Sequence, residues 1–286
     1  MIQSMTGFGK ATLQLPSKKI TVEVKSLNSK GMDLNVRMPS VYREMELGLR
    51  NEIALRLERG KIDFSIYIEM TGEQTSTKVN VPIVKAYIQQ MREVIANADE
   101  TELMKMAVRM PDALKTERDE IDENDWKEIQ KVIKEALDNI ANFRMDEGKS
   151  LEKEFQLRIG NIRQYMTDAL ALDPERVQAI KDRLQTAISE LKVNVDENRF
   201  EQELIYYLEK LDITEEKVRL TNHLDYFIET INGTEANGRK LGFITQEMGR
   251  EINTMGSKAN HAQMQKLVVM MKDELEKIKE QVLNVL

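Results

Sequence analysis

Within the segment Phe243–Lys258, the residues Glu247, Arg250, Glu251, Thr254 and Lys258 stand at offsets 0, 3, 4, 7 and 11. At about 100° per residue a helix places all five on one stripe. Asp212, Glu215, Glu216, Arg219 and His223 repeat the same offsets. Two such stripes facing each other could hold a divalent cation and an anionic substrate. Carboxylates at i, i+4 (Asp212/Glu216 and Glu247/Glu251) converge on one helix face. Hard cations such as Mg²⁺ and Mn²⁺ take oxygen ligands, and Mn²⁺ also accepts an imidazole. The candidate metal set is therefore Asp212, Glu216, Glu247, Glu251 and His223. Crowded acids repel unless cations neutralise them. Arg219, Arg250 and Lys258 can do that, or can hold a phosphate once a metal satisfies the acids. This kit suits metal-assisted phosphodiester cleavage, which needs a Lewis acid, an activated oxygen nucleophile and positive charge for the developing anion.

Alternating charge along a helix is also what a solvated face or an interhelical ion-pair network produces. The chain has only two histidines, so any imidazole-dependent proton transfer must use one of them. His223 lies in the acidic stripe, whereas His261 has no acidic neighbour at helical spacing. Other chemistries find no support. Cysteine is absent, no serine sits in a nucleophile elbow, and no P-loop occurs. Gly7-Phe8-Gly9 lacks the third glycine and following helix of a dinucleotide site.

The elements that must position these residues follow from periodicity. Ile20, Val22 and Val24 alternate with polar neighbours, as do Leu34, Val36 and Met38, then Ile62, Phe64, Ile66 and Ile68. That period marks half-buried strands. Between the last two sets, Pro39-Ser40 starts a helix carrying Val41, Met45, Leu49, Ile53 and Leu57, and Gly60 follows its end. A strand, a helix and a strand adjoining an apparent hairpin give an α+β unit.

Beyond Val79 helical readings take over: residues 82–98 and 125–142, separated by a polar stretch containing Pro111. A long run follows Gly148, and Asp173-Pro174 supplies a cap with proline at the first helical position. VNVDENR reads as a linker, and residues 200–231 read as one helix. The loop NGTEANGRK leads into the Phe243 segment. Leu267, Met271, Leu275, Ile278, Val282 and Val285 form a coiled-coil-like seam, the signature of core or oligomer contact.

Composition agrees with a mainly helical protein: of 286 residues, 32 % are charged and only 5 % aromatic. No apolar run approaches the roughly 20 residues of a membrane span. The start MIQSMTGFGK lacks the layout of a signal peptide. The expectation is a soluble, cytoplasmic protein. The net charge of −7 argues against coating nucleic acid non-specifically. Its distribution is uneven, however. Residues 1–70 hold 11 basic against 8 acidic side chains, and residues 236–272 hold 6 against 2. Lys25, Lys30, Arg37, Arg59 and Lys61 lie on or beside strands and can track a phosphate backbone. Phe8 and Tyr67 offer surfaces on which unpaired bases stack. Sheet-edge lysines that deter aggregation and ordinary core aromatics would look the same.

These motifs have a known counterpart. SMTGFGKA, VEVKSLNSKGMDLNVRMP, Arg59-Gly60-Lys61 and Asp146-Glu147-Gly148 resemble the N-terminal domain of the YicC/YloC family. LDITEEKVRLTNHL, GRKLGFITQEMGREINTMGSKAN and EKIKEQVLNV resemble its C-terminal part. The resemblance covers essentially the whole chain. It implies a mixed or antiparallel α+β N-terminal domain, residues 1–155, and a helical C-terminal domain, residues 156–286. In the latter, 156–199 connect and 200–286 carry the candidate site. It implies a metal-dependent (Mn²⁺ or Mg²⁺) endoribonuclease acting on single-stranded RNA as a homohexamer.

Carried over by position, the family's motifs fall on Asp212, Glu215, Glu216, Arg219 and His223. They fall further on Gln246, Glu247, Arg250, Glu251, Asn253, Thr254, Ser257 and Lys258, and on Ser26, Asn28 and Lys30. Lys30 stands where members often have arginine, which keeps charge but loses the bidentate fork. His223, Glu216, Glu247 and Glu251 are thus the catalytic candidates. Arg219, Arg250, Lys258, Ser257, Asn28, Lys30, Arg59 and Lys61 are the candidates for holding RNA. A non-catalytic RNA-binding adaptor, associated with translation or stress and built as an oligomer, is the alternative.

Overall fold

The computed structural model describes residues 2–16, 18–71, 78–115, 123–191, 197–233 and 238–286. Its first unit is a four-stranded mixed sheet in the order β1-β2-β4-β3. β1 (Gly7–Gln14) and β2 (Lys18–Leu27) form an antiparallel hairpin. β2 also pairs antiparallel with β4 (Gly60–Met70). β3 (Met32–Arg37) lies parallel to β4, Leu34 beside Ile62. The parallel pair requires a crossover. A 3₁₀ turn over Ser40–Met45 and helix α1 (Glu46–Leu57) supply it.

The predicted α+β class is what the chain adopts, with one strand more than its periodicity indicated. β1 reads Gly-Phe-Gly-Lys-Ala-Thr-Leu-Gln, and its inward residues are too small to register as an apolar alternation. On the buried face Ile20, Val22, Val24, Ile62, Phe64 and Ile66 meet Leu49, Ile53 and Leu57 of α1.

Among the described residues the remaining regular elements are helices, apart from a small antiparallel pair, β5 (Lys78–Val79) with β6 (Leu114–Lys115), and an isolated Ser4–Val285 bridge. That pair brackets α2 (Val81–Val94) and α3 (Glu100–Ala107), which share a small core around Val84, Ala107 and Ala113. α3 occupies part of the stretch expected to be irregular, its first turn capped by Asp99, whose carboxylate accepts the Glu102 N–H at 3.3 Å.

Helix α4 runs unbroken from Glu123 to Ala171, 49 residues. The sequence suggested a break near Gly148, yet no break occurs. The glycine answers to packing instead, for a Cβ there would stand 2.0 Å from the Ile2 carbonyl oxygen. The N-terminal half of α4 covers the sheet through Ile129, Ile133, Leu137 and Ile140. Its C-terminal half enters a second core through Leu151, Phe155, Ile159 and Ile162.

α5 (Asp173–Leu191) begins at the Asp-Pro signal. Of the linker reading VNVDENR, residues 193–196 lie outside the described residues and Glu197–Arg199 belong to the next helix. Residues 200–231 form two helices, not one: α6 (Glu197–Lys210) and α7 (Thr214–Asn232). α8 (Gly238–Lys258) follows, residues 234–237 of the predicted loop lying outside the described ones. α9 (Ala262–Val282) closes the bundle. Its seam is interior to the chain: Met271, Leu275, Ile278 and Val282 are buried against α4 and α8. Each such side chain contributes about 2 kcal/mol of burial. Among the described residues no helix is long and apolar enough to cross a membrane.

Candidate functional site

α7 and α8 pack together as an antiparallel pair, α7 against α4 and α8 against α9. The contact stripe on α7 is Glu216, Leu220, Leu224, Phe227 and Ile231. On α8 it is Leu241, Ile244, Met248, Glu251, Ile252 and Met255. Two carboxylates are thus carried on otherwise apolar stripes. Glu216 is 5 % exposed and Glu251 8 %. Glu216 Oε1 accepts from Lys258 Nζ at 2.7 Å, which joins the start of α7 to the end of α8. Its second oxygen, Oε2, is buried with no hydrogen-bond partner. Glu251 has no hydrogen-bond or ion-pair partner among the described residues. An unfilled acceptor as deep as Glu216 Oε2 costs free energy unless something else occupies it.

The Glu216–Lys258 pair also sets the register. Seven residues forward on α7 is His223, and seven back on α8 is Glu251. Both steps are two turns, so the half-buried imidazole stands level with the buried carboxylate. Of the two charged stripes, Glu216 and Lys258 meet across the helices.

The remaining candidates divide. Asp212 is not on the α7 stripe, because α7 begins at Thr214. Its Oδ1 accepts the Thr214 hydroxyl at 2.7 Å and the Thr214 N–H at 3.0 Å, fastening the first turn of the helix. Those bonds, with the nearby Lys258 charge, hold its carboxyl below the usual carboxylate range. The helical spacing assigned to Asp212 is thus corrected: the helix is interrupted at Leu211–Ile213, and the Asp212 side chain accepts from Thr214, the first residue of α7.

Glu247 pairs with Arg250 at 2.7 Å and Glu215 pairs with Arg219, each within one helix and exposed. Such pairs are worth at most about 1 kcal/mol, so both guanidiniums can exchange partners for a phosphate. Exposed Ser257 donates to the Thr254 carbonyl at 2.8 Å. His261 caps α9, its Nδ1 accepting the Met264 N–H at 3.4 Å.

Among the described residues no three His, Asp or Glu side chains come together as a metal-binding group. The full set Asp212, Glu216, Glu247, Glu251 and His223 is not gathered in one place. What remains compatible with a hard cation is smaller: one or two carboxylates, with water and substrate oxygens completing the shell, as Mg²⁺ commonly accepts. Glu216 Oε2 and Glu251 each offer one such carboxylate, and by the register above they stand two turns, about 10 Å, apart, too far to share one ion.

Arg176 is a residue the sequence did not single out. It is buried on α5, ion-paired to Asp173 at 2.6 Å. Its Nη1 donates to the Leu211 carbonyl at 2.7 Å and to the Lys258 carbonyl at 3.0 Å. One guanidinium thereby ties the segment before α7 to the end of α8, fixing the Glu216–Lys258 junction. An arginine three residues after a helix-capping aspartate has no sequence signature for this.

Both parts of the chain match models of one family. The match described as endoribonuclease YicC-like, N-terminal region, covers residues 2–153, and that described as endoribonuclease YicC-like, C-terminal, covers 170–286. The chain belongs to the YicC-like endoribonuclease family. It is 33 % identical to a probable endoribonuclease YicC of Clostridioides difficile, across 100 % of both chains. It is 28 % identical to one of Haemophilus influenzae, across 99 % of both.

In this YicC-like chain Arg59, of the N-terminal candidates, lies at the other end of α8 from Lys258. Arg59 lines a cleft with Gly238 and Arg239, and its Nε donates to the Ser29 carbonyl at 2.9 Å. Exposed Asn28 and Lys30 flank Ser29, and exposed Lys61 follows on β4. The open face of the sheet is mixed in charge: Lys25 and Arg37 share a shallow hollow with Glu23, Asp63 and Tyr67. Phe8 is covered by Lys25, 5.7 Å from its ring centroid.

Proposed function

We infer that this chain cleaves phosphodiester bonds of single-stranded RNA at the α7–α8 seam, with a divalent metal (Mn²⁺ or Mg²⁺) and as a homo-oligomeric ring in the cytoplasm. One observation carries the site: Glu216 Oε2 is buried with no hydrogen-bond partner, and Glu251 on the neighbouring helix is 8 % exposed with no partner among the described residues. In this reading Glu251, level with His223, is the metal ligand; Glu216 lies two turns along the seam with Lys258, and Glu247 and Asp212 lie at the margin. A bound Mg²⁺ or Mn²⁺ would supply Lewis acidity at the scissile phosphate.

The chain's own groups do the rest. Lys258, held against Glu216, places a positive charge at the seam. Arg219 and Arg250 bind phosphate oxygens from the exposed faces of α7 and α8, trading their weak local partners for a bidentate contact. His223 moves the proton at the attacking or leaving oxygen. The endoribonuclease names of the relatives support the reaction class. The exposed Ile205, Tyr206 and Tyr207 of α6 are compatible with a subunit contact.

The test is cleavage of a labelled single-stranded RNA by purified protein. Glu251→Gln and Glu216→Gln should each lower turnover by about 10²-fold, with far-UV circular dichroism unchanged. His223→Ala should do the same. EDTA should abolish activity without unfolding the protein, and Mn²⁺ should restore it. RNA affinity that survives chelation, with no cleavage by any preparation, would instead identify a non-catalytic RNA-binding adaptor. Light scattering in solution reports the ring.

A further inference from the structure

At the amino end of α8 a cleft of about 470 Å³ opens between the two halves of the chain, lined by Glu58, Arg59, Arg239, Lys240, Phe243 and Leu286. Three of these side chains are cationic and one is acidic. None of the three cations has an ion-pair partner among the described residues. Phe243 is 61 % exposed. A large aromatic left in water beside an excess of positive side chains is not what core packing or solubility selects. It is what a site for an unpaired nucleotide requires, since the base face stacks on the ring and the phosphate meets the cations.

The cleft is also held in shape. Arg59 sits in a turn between Glu58, at φ 53°, and Gly60, at φ 129°. A non-glycine residue at positive φ is strained and persists only when its surroundings impose it. Here the buried guanidinium of Arg144 imposes it. Arg144 donates to the Leu57 carbonyl at 3.0 Å and to the Arg59 carbonyl at 3.2 Å, and it also reaches the Met5 carbonyl and the Ser26 hydroxyl. Arg59 is then aimed by its Nε bond to Ser29. On the opposite wall, Lys240 Nζ rests 4.6 Å from the Tyr226 ring centroid, a cation–π contact that positions it without neutralising it.

We propose that this cleft is a second RNA subsite, in which Arg59, Arg239 and Lys240 bind a backbone phosphate and Phe243 stacks an unpaired base. It rests on the RNA-cleavage reading above and extends it along α8. Phe243, Arg250 and Thr254 stand at offsets 0, 7 and 11 on one face of that helix. Gly238 and Glu251 are 13 residues apart, about 20 Å of helix. A strand anchored in the cleft therefore leads past Arg250 toward the acidic seam. The amino end of α8 is not itself the anion site, because the Gly238 N–H is already given to the Leu286 carbonyl oxygen at 3.1 Å.

Fluorescence anisotropy with a fluorescein-labelled, 2′-O-methyl oligouridylate tests the subsite on the full-length protein. Phe243→Ala should weaken binding about tenfold, whereas Phe243→Trp should preserve it and show indole quenching on RNA addition. Lys240→Ala should reduce the slope of log affinity against log salt by about 0.7, one single-strand phosphate contact. A perfect duplex of the same length should be insensitive to Phe243→Ala. Wild-type affinity and salt slope in both alanine variants, in a protein that cleaves RNA, would overturn the subsite alone. A wild-type protein that neither binds nor cleaves RNA would remove the functional reading and the subsite with it.

Discussion

Asp212 and Glu216 show how two acids four positions apart can do unrelated work. Asp212 precedes α7 and fastens its first turn through Thr214, while Glu216 points into the interhelical seam and takes Lys258. Removing the cap should therefore cost stability and leave the chemistry. Asp212→Ala is expected to lower unfolding free energy by about 1 kcal/mol, with cleavage by the folded protein within a few-fold of wild type. The sign of its pH dependence follows from the lowered carboxyl pKa. A depressed carboxylate stabilises the fold above its unfolded pKa of about 3.9, and that contribution disappears as pH falls through the lower folded value. The Tm difference between wild type and Asp212→Ala should be constant near neutrality and shrink in acid. A difference that grows in acid contradicts the cap. Loss of cleavage in the folded variant would move Asp212 back into the reacting set.

Between elements, buried charge is used as a fastener. Glu274 on α9 accepts from Arg158 at 3.2 Å and Asn161 at 3.0 Å, both on α4, and from Lys277 at 2.9 Å. Burial pushes the Glu274 carboxyl up. The hydrogen bonds from Lys277, Asn161 and Arg158 outweigh that and leave it below its usual range. Glu274→Ala would strand the α4 donors and should cost about 2 kcal/mol, measured by urea unfolding. Equal stability would mean that water replaces the carboxylate at no cost. The same logic explains why four carboxylates on two helices do not form four ligands. Glu247 turns outward to Arg250, Asp212 is spent on capping, and only Glu216 and Glu251 are carried into the seam.

At the level of the whole chain, α4 is the feature that makes one molecule of two cores. Its first half covers the sheet and its second half packs on α9 and α7. Disturbing its middle should therefore be felt in both. Gly148→Ala would push a methyl into the Ile2 backbone, where the contact would be 2.0 Å. A cost of about 2 kcal/mol is expected. Trp126, which stacks on Tyr42 beside the sheet core, reports one end. Far-UV circular dichroism is dominated by the helices. The two signals should move together to lower urea in the variant. A Trp126 transition separating from the helical one would show that α4 does not couple the cores.

Periodicity and composition determined a good deal without coordinates. The three strands with β-branched alternation, α1 with its apolar repeat of four, the Asp-Pro start of α5 and the charged stripes of α7 and α8 all rest on local preference. Each is written within a few neighbouring residues. The resemblance to the endoribonuclease family was equally local, since it rested on contiguous motifs. The continuity of α4 past Gly148 was not legible, because the glycine answers to the Ile2 backbone, 146 positions away in the chain. Nor was the break at Asp212 legible, because the helical offsets continue through it. The division of the acids was decided by the tertiary structure alone, as were the clamp at Arg176 and the cleft that brings Arg59 to Phe243. Whether a carboxylate is a cap, a surface partner or a buried acceptor depends on which groups arrive from distant elements. Helical spacing fixes the face a side chain occupies, and packing alone fixes what that face meets.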